Sequence, residues 1–450
     1  MSQVEAISVI GLGKLGLCTA ACFAQNYKVI GVDIDRDKIE MINAGKNPIA
    51  ETGLTEMISK YKSNLKATAD YKEAILNSQV TFIVVATPSE ADGTFSNKQL
   101  EVSLKQIGAA LKEKNSYHLI VITSTVMPGT TDHVAKFILE ETSGKVCGKD
   151  FSIAYNPEFI ALGSVIHDFL NPDFILIGEM REKDGLILED IYKNTCEHSP
   201  RFGRMNCVSA EIAKISLNCY VTMKITYANS LASVCDKVPG ADAGVITSAI
   251  GLDSRIGKKY LKPGLGYGGP CFPRDNVAFA AFARKVNVKA KLSEMVDEVN
   301  RDQITRITKI IEDLLVGDGH DRPVNRKIKE ETVVGVLGLS YKPNTHIIED
   351  SQAIDIVELL INEGYKIKVY DPAAIESVRG VLGDSVTYAK SSKECVENSD
   401  VVIITTPWEE FKTIDFSKHK KDLAVLDCWS MVDNNVDKIN IRYLGKGFKF

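Results

Sequence analysis

The stretch "GYGGPCFPRD", residues 266–275, sets one cysteine among glycines and between Pro270 and Pro273. Glycine permits close backbone approach and positive φ, and proline stiffens a loop, so neither helix nor strand is expected there. A stiff loop presenting Cys271 beside Arg274 and Asp275 is suited to nucleophilic chemistry. Earlier in the chain, Glu211, Lys214 and Asn218 fall at i, i+3 and i+7 of a helical pattern and share a face. A Lys and an Asn one turn apart can stabilise an alkoxide or hold a water. "YNPEF" sets Glu158 and Phe159 after a strand-like run and a proline, where a carboxylate can face a cleft. "SRIGKKYLKPGLGYGG" supplies Arg255, Lys258, Lys259 and Lys262 just ahead of the cysteine loop, cations suited to a pyrophosphate. Singly, each has an ordinary explanation as a tight turn, a solvated helix face or surface charge. Together they describe a site.

A second signal lies at the N-terminus. "VIGLGKLG" places Gly11, Gly13 and Gly16 in GxGxxG spacing, with Leu12, Lys14 and Leu15 between them, after a strand-like run and before a helical one. Glycines there allow a tight turn and bring backbone N–H groups to a pyrophosphate at a helix N-terminus. Asp33 closes the next strand-like run, where its carboxylate can accept both ribose hydroxyls and would repel a 2′-phosphate. NAD is therefore expected over NADP, with Lys38 approaching the adenosine side.

These residues need elements to hold them. "AISVIGLG", "YKVIGVDID", "VTFIVVATP", "HLIVITSTV" and "FSIAYNPEF" read as Val/Ile-rich strands alternating with helices, the pattern of a parallel sheet covered on both faces. From about residue 208, helical spacing runs for nearly thirty positions without proline, and "KLSEMVDEVNRDQITRITKIIEDLLVG" is a second long helix. Residues 317–331 read as a polar linker or surface loop. Strand–helix alternation then resumes through "ETVVGVLGLSYKP", "YKIKVYDPA", "DVVIITTPW" and "LAVLDCWS", again with an Asp after a strand (Asp371). The expected fold is α/β: two Rossmann-like doubly wound domains, 1–205 and 317–450, joined by a long central helix and a helical middle domain, 206–316.

With 450 residues, 44% apolar and 25% charged, the chain has the composition of a globular protein, and its net charge of −5 offers no broad basic field for nucleic acid or anionic membrane. No apolar run reaches the ~18 residues that span a bilayer. The opening residues show no basic leader or cleavage site, and the ten cysteines form no CxxC pair, so a reduced, cytoplasmic protein without a metal is expected.

GLGKLG, STV (124–126), NPEF, AEIAKISLN, LDSRIG, GYGGPCFPRD and YKPNT occur here in one order. In that order they resemble the UDP-glucose/GDP-mannose dehydrogenase family, most closely its UDP-glucose branch, to which Phe272 and Pro273 are similar. The resemblance implies oxidation of a nucleotide sugar at C6 to the carboxylate, UDP-glucose to UDP-glucuronate in that branch, with two NAD and one water. Cys271 would be the nucleophile, passing through a thiohemiacetal and a thioester. Asp275, through a water held with Lys214, would be the base, and Lys214 and Asn218 would stabilise oxyanions. Glu158 would activate the hydrolytic water, and Thr125 is counted with the catalytic set. Thr87, Thr125 and Arg274 match positions at NAD. Phe159, Arg255, Lys262, Tyr267, Gly268 and Lys342, with Glu158, Lys214 and Asn218, match positions at the sugar nucleotide. The residue 210–235 helix would form a dimer core, so a homodimer or higher homo-oligomer is expected.

Three places depart from the family pattern: Leu162 in place of a second Glu, Glu349 in place of an Arg, and "LDCWSM" around Trp429 where Asp-Gly-Arg is common. The competing expectations are another UDP-hexose(amine) or GDP-mannose as substrate, a two-electron β-hydroxyacid dehydrogenase, and a non-catalytic nucleotide-sugar binder.

Overall fold

The computed structural model describes residues 4–160, 163–316, 329–419, 423–432 and 440–447. The chain divides into two compact units, residues 1–216 and 217–450. The linker expected at 317–331 and the departure at Leu162 lie outside the described residues, save for a short turn at Lys329–Glu331.

The first unit is built on eight strands: β1 (Ala6–Ile10), β2 (Lys28–Val32), β3 (Leu65–Thr68), β4 (Val80–Ile83), β5 (His118–Ile122), β6 (Phe151–Tyr155), β7 (Ile175–Glu179) and β8 (Phe202–Met205). Their order, β3-β2-β1-β4-β5-β6-β7-β8, reverses direction between β1 and β4. All five residues of β1 and of β5 are buried, because helices cover both sheet faces. Val9 belongs to the core on one face and Ile10 to the core on the other, as period-two alternation requires.

One pairing departs from the parallel sheet expected. β7 runs antiparallel to β6 and meets it only at Ala154–Glu179 and Tyr155–Gly178. β7 therefore begins at the end of the sheet where β6 stops, and Asn156-Pro157-Glu158-Phe159 leave β6 at that carboxyl end.

The second unit has six strands, β9 (Val333–Leu337), β10 (Lys366–Tyr370), β11 (Thr387–Tyr388), β12 (Val401–Ile404), β13 (Ala424–Asp427) and β14 (Asn440–Tyr443). They are all parallel, in the order β11-β10-β9-β12-β13-β14. The two long helical patterns are realised as Cys207–Cys235 and Lys291–Val316. The boundary between the units falls within the first of these helices, so it contributes Lys214 to the first unit and Asn218 to the second.

Glu211, on the same helix, does not join Lys214 and Asn218 as one face of the site. Its fully buried carboxylate accepts from the backbone N–H groups of Gly129 (2.5 Å) and Thr131 (2.8 Å) and from the Thr131 hydroxyl (2.6 Å). It thereby caps the helical segment that starts at Thr130 and anchors the loop after β5 that carries Thr125. Burial raises its pKa, and the Thr131 and Gly129 donors pull it back. Glu211→Ala strands those donors and is expected to cost about 2–3 kcal/mol, read as a lower urea midpoint.

Candidate active site

At the carboxyl end of the first sheet, the glycine motif makes a turn that its neighbours enforce. Gly11 has φ +91°, and a Cβ there would lie 2.4 Å from the Val84 carbonyl oxygen; a Cβ on Gly16 would lie 1.9 Å from the Gly11 oxygen. Gly13 differs: a Cβ there meets nothing within 4 Å, so open space lies over the N-terminus of the helix Lys14–Phe23. Gly13 caps that helix without a side-chain hydrogen bond, which leaves its first N–H groups for a ligand. The cradle fits a pyrophosphate.

Leu12 is buried, and its N–H donates to Asp33 Oδ2 (2.8 Å); Lys38 Nζ reaches the same oxygen at 3.2 Å, and the Asp35 N–H donates to Oδ1 (3.0 Å). Despite burial, these donors hold the Asp33 carboxyl below the usual carboxylate range. An ionised carboxylate at the end of β2 suits ribose hydroxyls and opposes a 2′-phosphate. Lys14 pairs with Glu51 at 3.6 Å, and Leu15 packs against the core. The Thr87 hydroxyl donates to the Thr125 carbonyl (2.7 Å), and the Ser124 hydroxyl bridges Val85, so the loops after β4 and β5 are locked together.

The adjoining loop after β6 builds a carboxylate with an altered affinity for its proton. Lys214, only 7% exposed, donates through Nζ to the Glu158 carbonyl (2.7 Å) and sits 4.5 Å from the Phe159 ring centroid. Phe159 in turn packs on Phe174, with ring centroids 5.0 Å apart. The buried Tyr192 hydroxyl lies 2.5 Å from Asn156 Oδ1 and 3.2 Å from Glu158 Oε1. Burial pushes the Glu158 carboxyl up to about 7, with the Tyr192 hydroxyl and the Lys214 charge opposing it. A carboxyl poised near neutrality can take a proton from water. The sequence reading missed Tyr192, whose signal is weak, a polar ring at a buried position; Asn156 stood in the NPEF motif but was given no role.

The second unit presents the thiol. Contrary to the expectation for 266–275, only its first half is a loop. Helix Phe272–Lys285 starts directly after Cys271, with Pro273 in its first turn, where a missing N–H costs nothing. Cys271 is the N-cap residue and is exposed; the other nine cysteines are buried or half-buried. One turn into the helix, the buried Asp275 accepts from Asn218 Nδ2 (2.6 Å) through Oδ2, and Arg274 Nε lies 3.7 Å from its other oxygen. Asn276 Nδ2 donates to Thr222 Oγ1 (2.9 Å), a second tie between the thiol helix and the central one.

Side-chain amides grip the glycine loop before Cys271. Gly264 N–H donates to Asn229 Oδ1 (2.9 Å), and Gln303 Nε2 donates to the Gly264 carbonyl (3.0 Å). Gly266 N–H donates to Gln352 Oε1 (2.6 Å), and Asn300 exchanges two 2.9 Å bonds with the Tyr267 backbone. Gly268 also approaches backbone, since a Cβ there would lie 2.1 Å from the Asp350 oxygen. Asn229, Asn300, Gln303 and Gln352 were not singled out from the sequence; amides recurring among the buried positions of long helices are the signal that could have found them.

Other expected residues are placed without being gathered. The Tyr267 side chain is buried and meets Phe272 edge-on. Arg255 pairs with Asp253 (2.7 Å) on an exposed turn, and Lys262 is exposed. Lys342 lies 5.7 Å from the Tyr341 ring centroid. Asp371, at the end of β10, is nearly fully buried and bonded to the N–H groups of Leu339, Ser340, Ala373 and Ala374 and to Trp408 Nε1. Glu349 is exposed, and its carbonyl accepts from the Gly269 N–H (3.0 Å). Among the described residues, no cluster of His, Cys, Asp and Glu could hold a metal, and no helix is long and apolar enough to cross a membrane.

Comparison with known proteins converges on one family. Residues 5–196 match the UDP-glucose/GDP-mannose dehydrogenase family NAD binding domain, 208–302 its central domain and 335–434 its UDP binding domain. The UDP-glucose 6-dehydrogenase AglM of Haloferax volcanii is 37% identical, covering 91% of this chain and 93% of that protein. The GDP-mannose 6-dehydrogenase of Pseudomonas aeruginosa is 33% identical, covering 88% and 90%. Among solved structures, a UDP-glucose dehydrogenase from Pyrobaculum islandicum superposes with a TM-score of 0.87 at 33% identity, covering 98% and 97%. The chain is a nucleotide-sugar dehydrogenase with an NAD-binding domain, and it belongs to the UDP-glucose/GDP-mannose dehydrogenase family.

Proposed function

We propose that this protein oxidises the C6 hydroxyl of UDP-glucose to the carboxylate of UDP-glucuronate, with Cys271 as covalent nucleophile. The observation that carries the reading is the placement of Cys271: exposed, at a helix N-terminus, after a loop whose backbone is gripped by side-chain amides from Gly264 to Tyr267. Partial positive charge at that terminus favours negative charge on sulfur. NAD, which Gly11, Gly13, Gly16, Asp33, Lys38, Thr87, Thr125 and Arg274 would hold, would supply the hydride acceptor for each oxidation.

Asp275, through a water, takes the C6 hydroxyl proton as hydride leaves the same carbon, and an aldehyde forms. The Cys271 thiolate adds to that carbonyl: the S–C bond forms and the π pair moves to oxygen as an alkoxide. Lys214 and Asn218 stabilise the oxyanion. An ammonium carries three N–H donors and an amide two, the groups that answer charge on an oxygen. Loss of a second hydride re-forms the carbonyl as a thioester. Glu158 then takes a proton from water as the oxygen adds, the C–S bond breaks, and thiolate leaves. The balance is one alcohol, two NAD and one water to one carboxylate, two NADH and three protons. Arg255, Lys262 and Lys342 answer the charge of the diphosphate. Phe159, Tyr267 and Gly268 line the sugar.

GDP-mannose is the second reading, favoured by the 33% identical GDP-mannose relative. A panel of UDP- and GDP-sugars assayed for NADH separates the two. UDP-glucose is expected to give two NADH per sugar; a GDP-sugar preference would overturn the substrate, and a single NADH the four-electron chemistry.

Cys271→Ser is expected to abolish acid formation while still supporting the first oxidation or trapping an intermediate; acid production at the native rate would refute covalent catalysis. Glu158→Gln is expected to slow thioester hydrolysis about 10²–10⁴-fold and to remove its rise with pH through about 7. Stability moves the other way. The folded state holds the Glu158 proton up to about 7 while an unfolded Glu loses it near 4.5, so folding stability falls between these values as pH rises. Glu158→Gln should therefore raise Tm by a few °C at pH 8 and leave it unchanged at pH 4, by calorimetry.

A further inference from the structure

All four glycines of the loop 264–269 lie against something that a Cβ would strike, and two of those contacts are aromatic rings. At Gly264 a Cβ would lie 2.6–3.0 Å from three atoms of the Trp429 indole; at Gly269, with φ +84°, it would lie 2.5 Å from the Tyr341 ring. The rings therefore meet the first and last glycines of the loop that leads to Cys271.

Both rings come from the carboxyl ends of the second sheet, where open α/β sheets bind ligands. Trp429 follows β13; its backbone N–H donates to Asp427 Oδ1 (2.9 Å) and its indole N–H to the Thr405 carbonyl (2.8 Å) beyond β12. It packs against the apolar cores on both faces of that sheet. Tyr341 follows β9, and its N–H donates to the Ile347 carbonyl (3.1 Å). Gly269 thus lies between the Tyr341 ring and the Glu349 carbonyl of the same segment. Burial above all pushes the Tyr341 hydroxyl up to about 12, with the charges that Cys271 and Tyr260 can carry adding to it. The amide bonds described above end at Tyr267. Beyond it, next to the thiol, the Gly269 N–H donates to the Glu349 carbonyl (3.0 Å) and the Tyr341 ring closes the space at Gly269.

We propose that Tyr341 and Trp429 are positioning residues for Cys271: their rings clamp the two ends of the glycine loop and hold the sulfur where the second oxidation needs it. The proposal rests on the reading of Cys271 as nucleophile. The first oxidation needs no sulfur, so loss of the clamp slows only the second. An alanine at 341 removes the contact, whereas phenylalanine retains it.

The test is amide hydrogen exchange on the full chain without ligand, paired with separate assays of nucleotide-sugar alcohol and 6-aldehyde. Exchange across 266–271 is expected to rise about tenfold or more in Tyr341→Ala and in Trp429→Ala and to stay native in Tyr341→Phe. The kcat for the aldehyde should fall about tenfold in the alanine variants, with the KM for NAD and the single-turnover rate of the first hydride transfer from the alcohol unchanged. Native exchange in the alanine variants overturns the clamp, and aldehyde oxidation at the native rate overturns its positioning role. The Tm loss caused by Gly264→Ala should shrink in the Trp429→Ala background; additive losses overturn the Trp429 contact. Exchange is read without substrate. If Cys271→Ser leaves acid formation intact, the proposed function falls while the clamp is still decided.

Discussion

A run of glycines has no side chains with which to hold its own shape, and a reactive thiol is useful only where its position is set. The grip that Asn229, Asn300, Gln303 and Gln352 exert on the backbone from Gly264 to Tyr267 resolves that conflict. Each amide both donates and accepts, so one side chain can satisfy an N–H and a C=O of a chain with no sheet or helix partner. Glycine is required because the gripping groups come so close. A Cβ at Gly266 would lie 2.3 Å from the Asn300 and Gln352 amides. Flexibility in composition becomes rigidity in structure, since the space that side chains would fill is taken by neighbours.

The two sheets use one backbone solution for different ends. In each, a glycine with φ above +90° follows the first strand, and its N–H donates to the carbonyl closing the second strand, Gly11 to Val32 and Gly338 to Tyr370. In each, the next N–H reaches an aspartate, Leu12 to Asp33 and Leu339 to Asp371. The difference lies in what else reaches the carboxylate. Asp371 is met by four backbone N–H groups, the Ser340 hydroxyl and the Trp408 indole, which makes it a structural anchor. Asp33 takes two backbone N–H groups and a lysine whose side chain is 20% exposed, which leaves its edge addressable. Gly13 is open where Ser340 is tied down by Asp371.

Glu158 shows the cost of a carboxyl group poised at neutrality. The burial that raises its proton affinity also penalises its ionised form, so the fold carries an electrostatic strain that a neutral amide would relieve. Glu211, four residues beyond Cys207 on the central helix, is fully buried, yet its oxygens meet two backbone N–H groups and a hydroxyl. Two buried glutamates differ in role because one has its donors supplied and the other leaves capacity for water.

Local patterning determined much of this protein by itself. Val/Ile runs buried on both faces, GxGxxG between strand and helix, and nearly thirty helical positions without proline depend on periods of 2 and 3.6 and on backbone sterics, all written in consecutive residues. The doubly wound sheets, both long helices and the turn at Gly11 were legible for that reason. Chemistry-bearing residues were legible as types: a thiol among glycines, a carboxylate after Asn-Pro. Tertiary structure alone decided where each side chain's hydrogen bonds go. It assigned Glu211 to a cap, added Tyr192 to Glu158 and turned β7 against β6. It also began a helix at Phe272, where the prolines had argued for a loop. Short strands such as β3 and β8 were missed because half-exposed edges lack the Val/Ile signal. Hydrogen-bond partners dozens of residues apart leave no local period in a sequence, and closing the chain in three dimensions is what selects them.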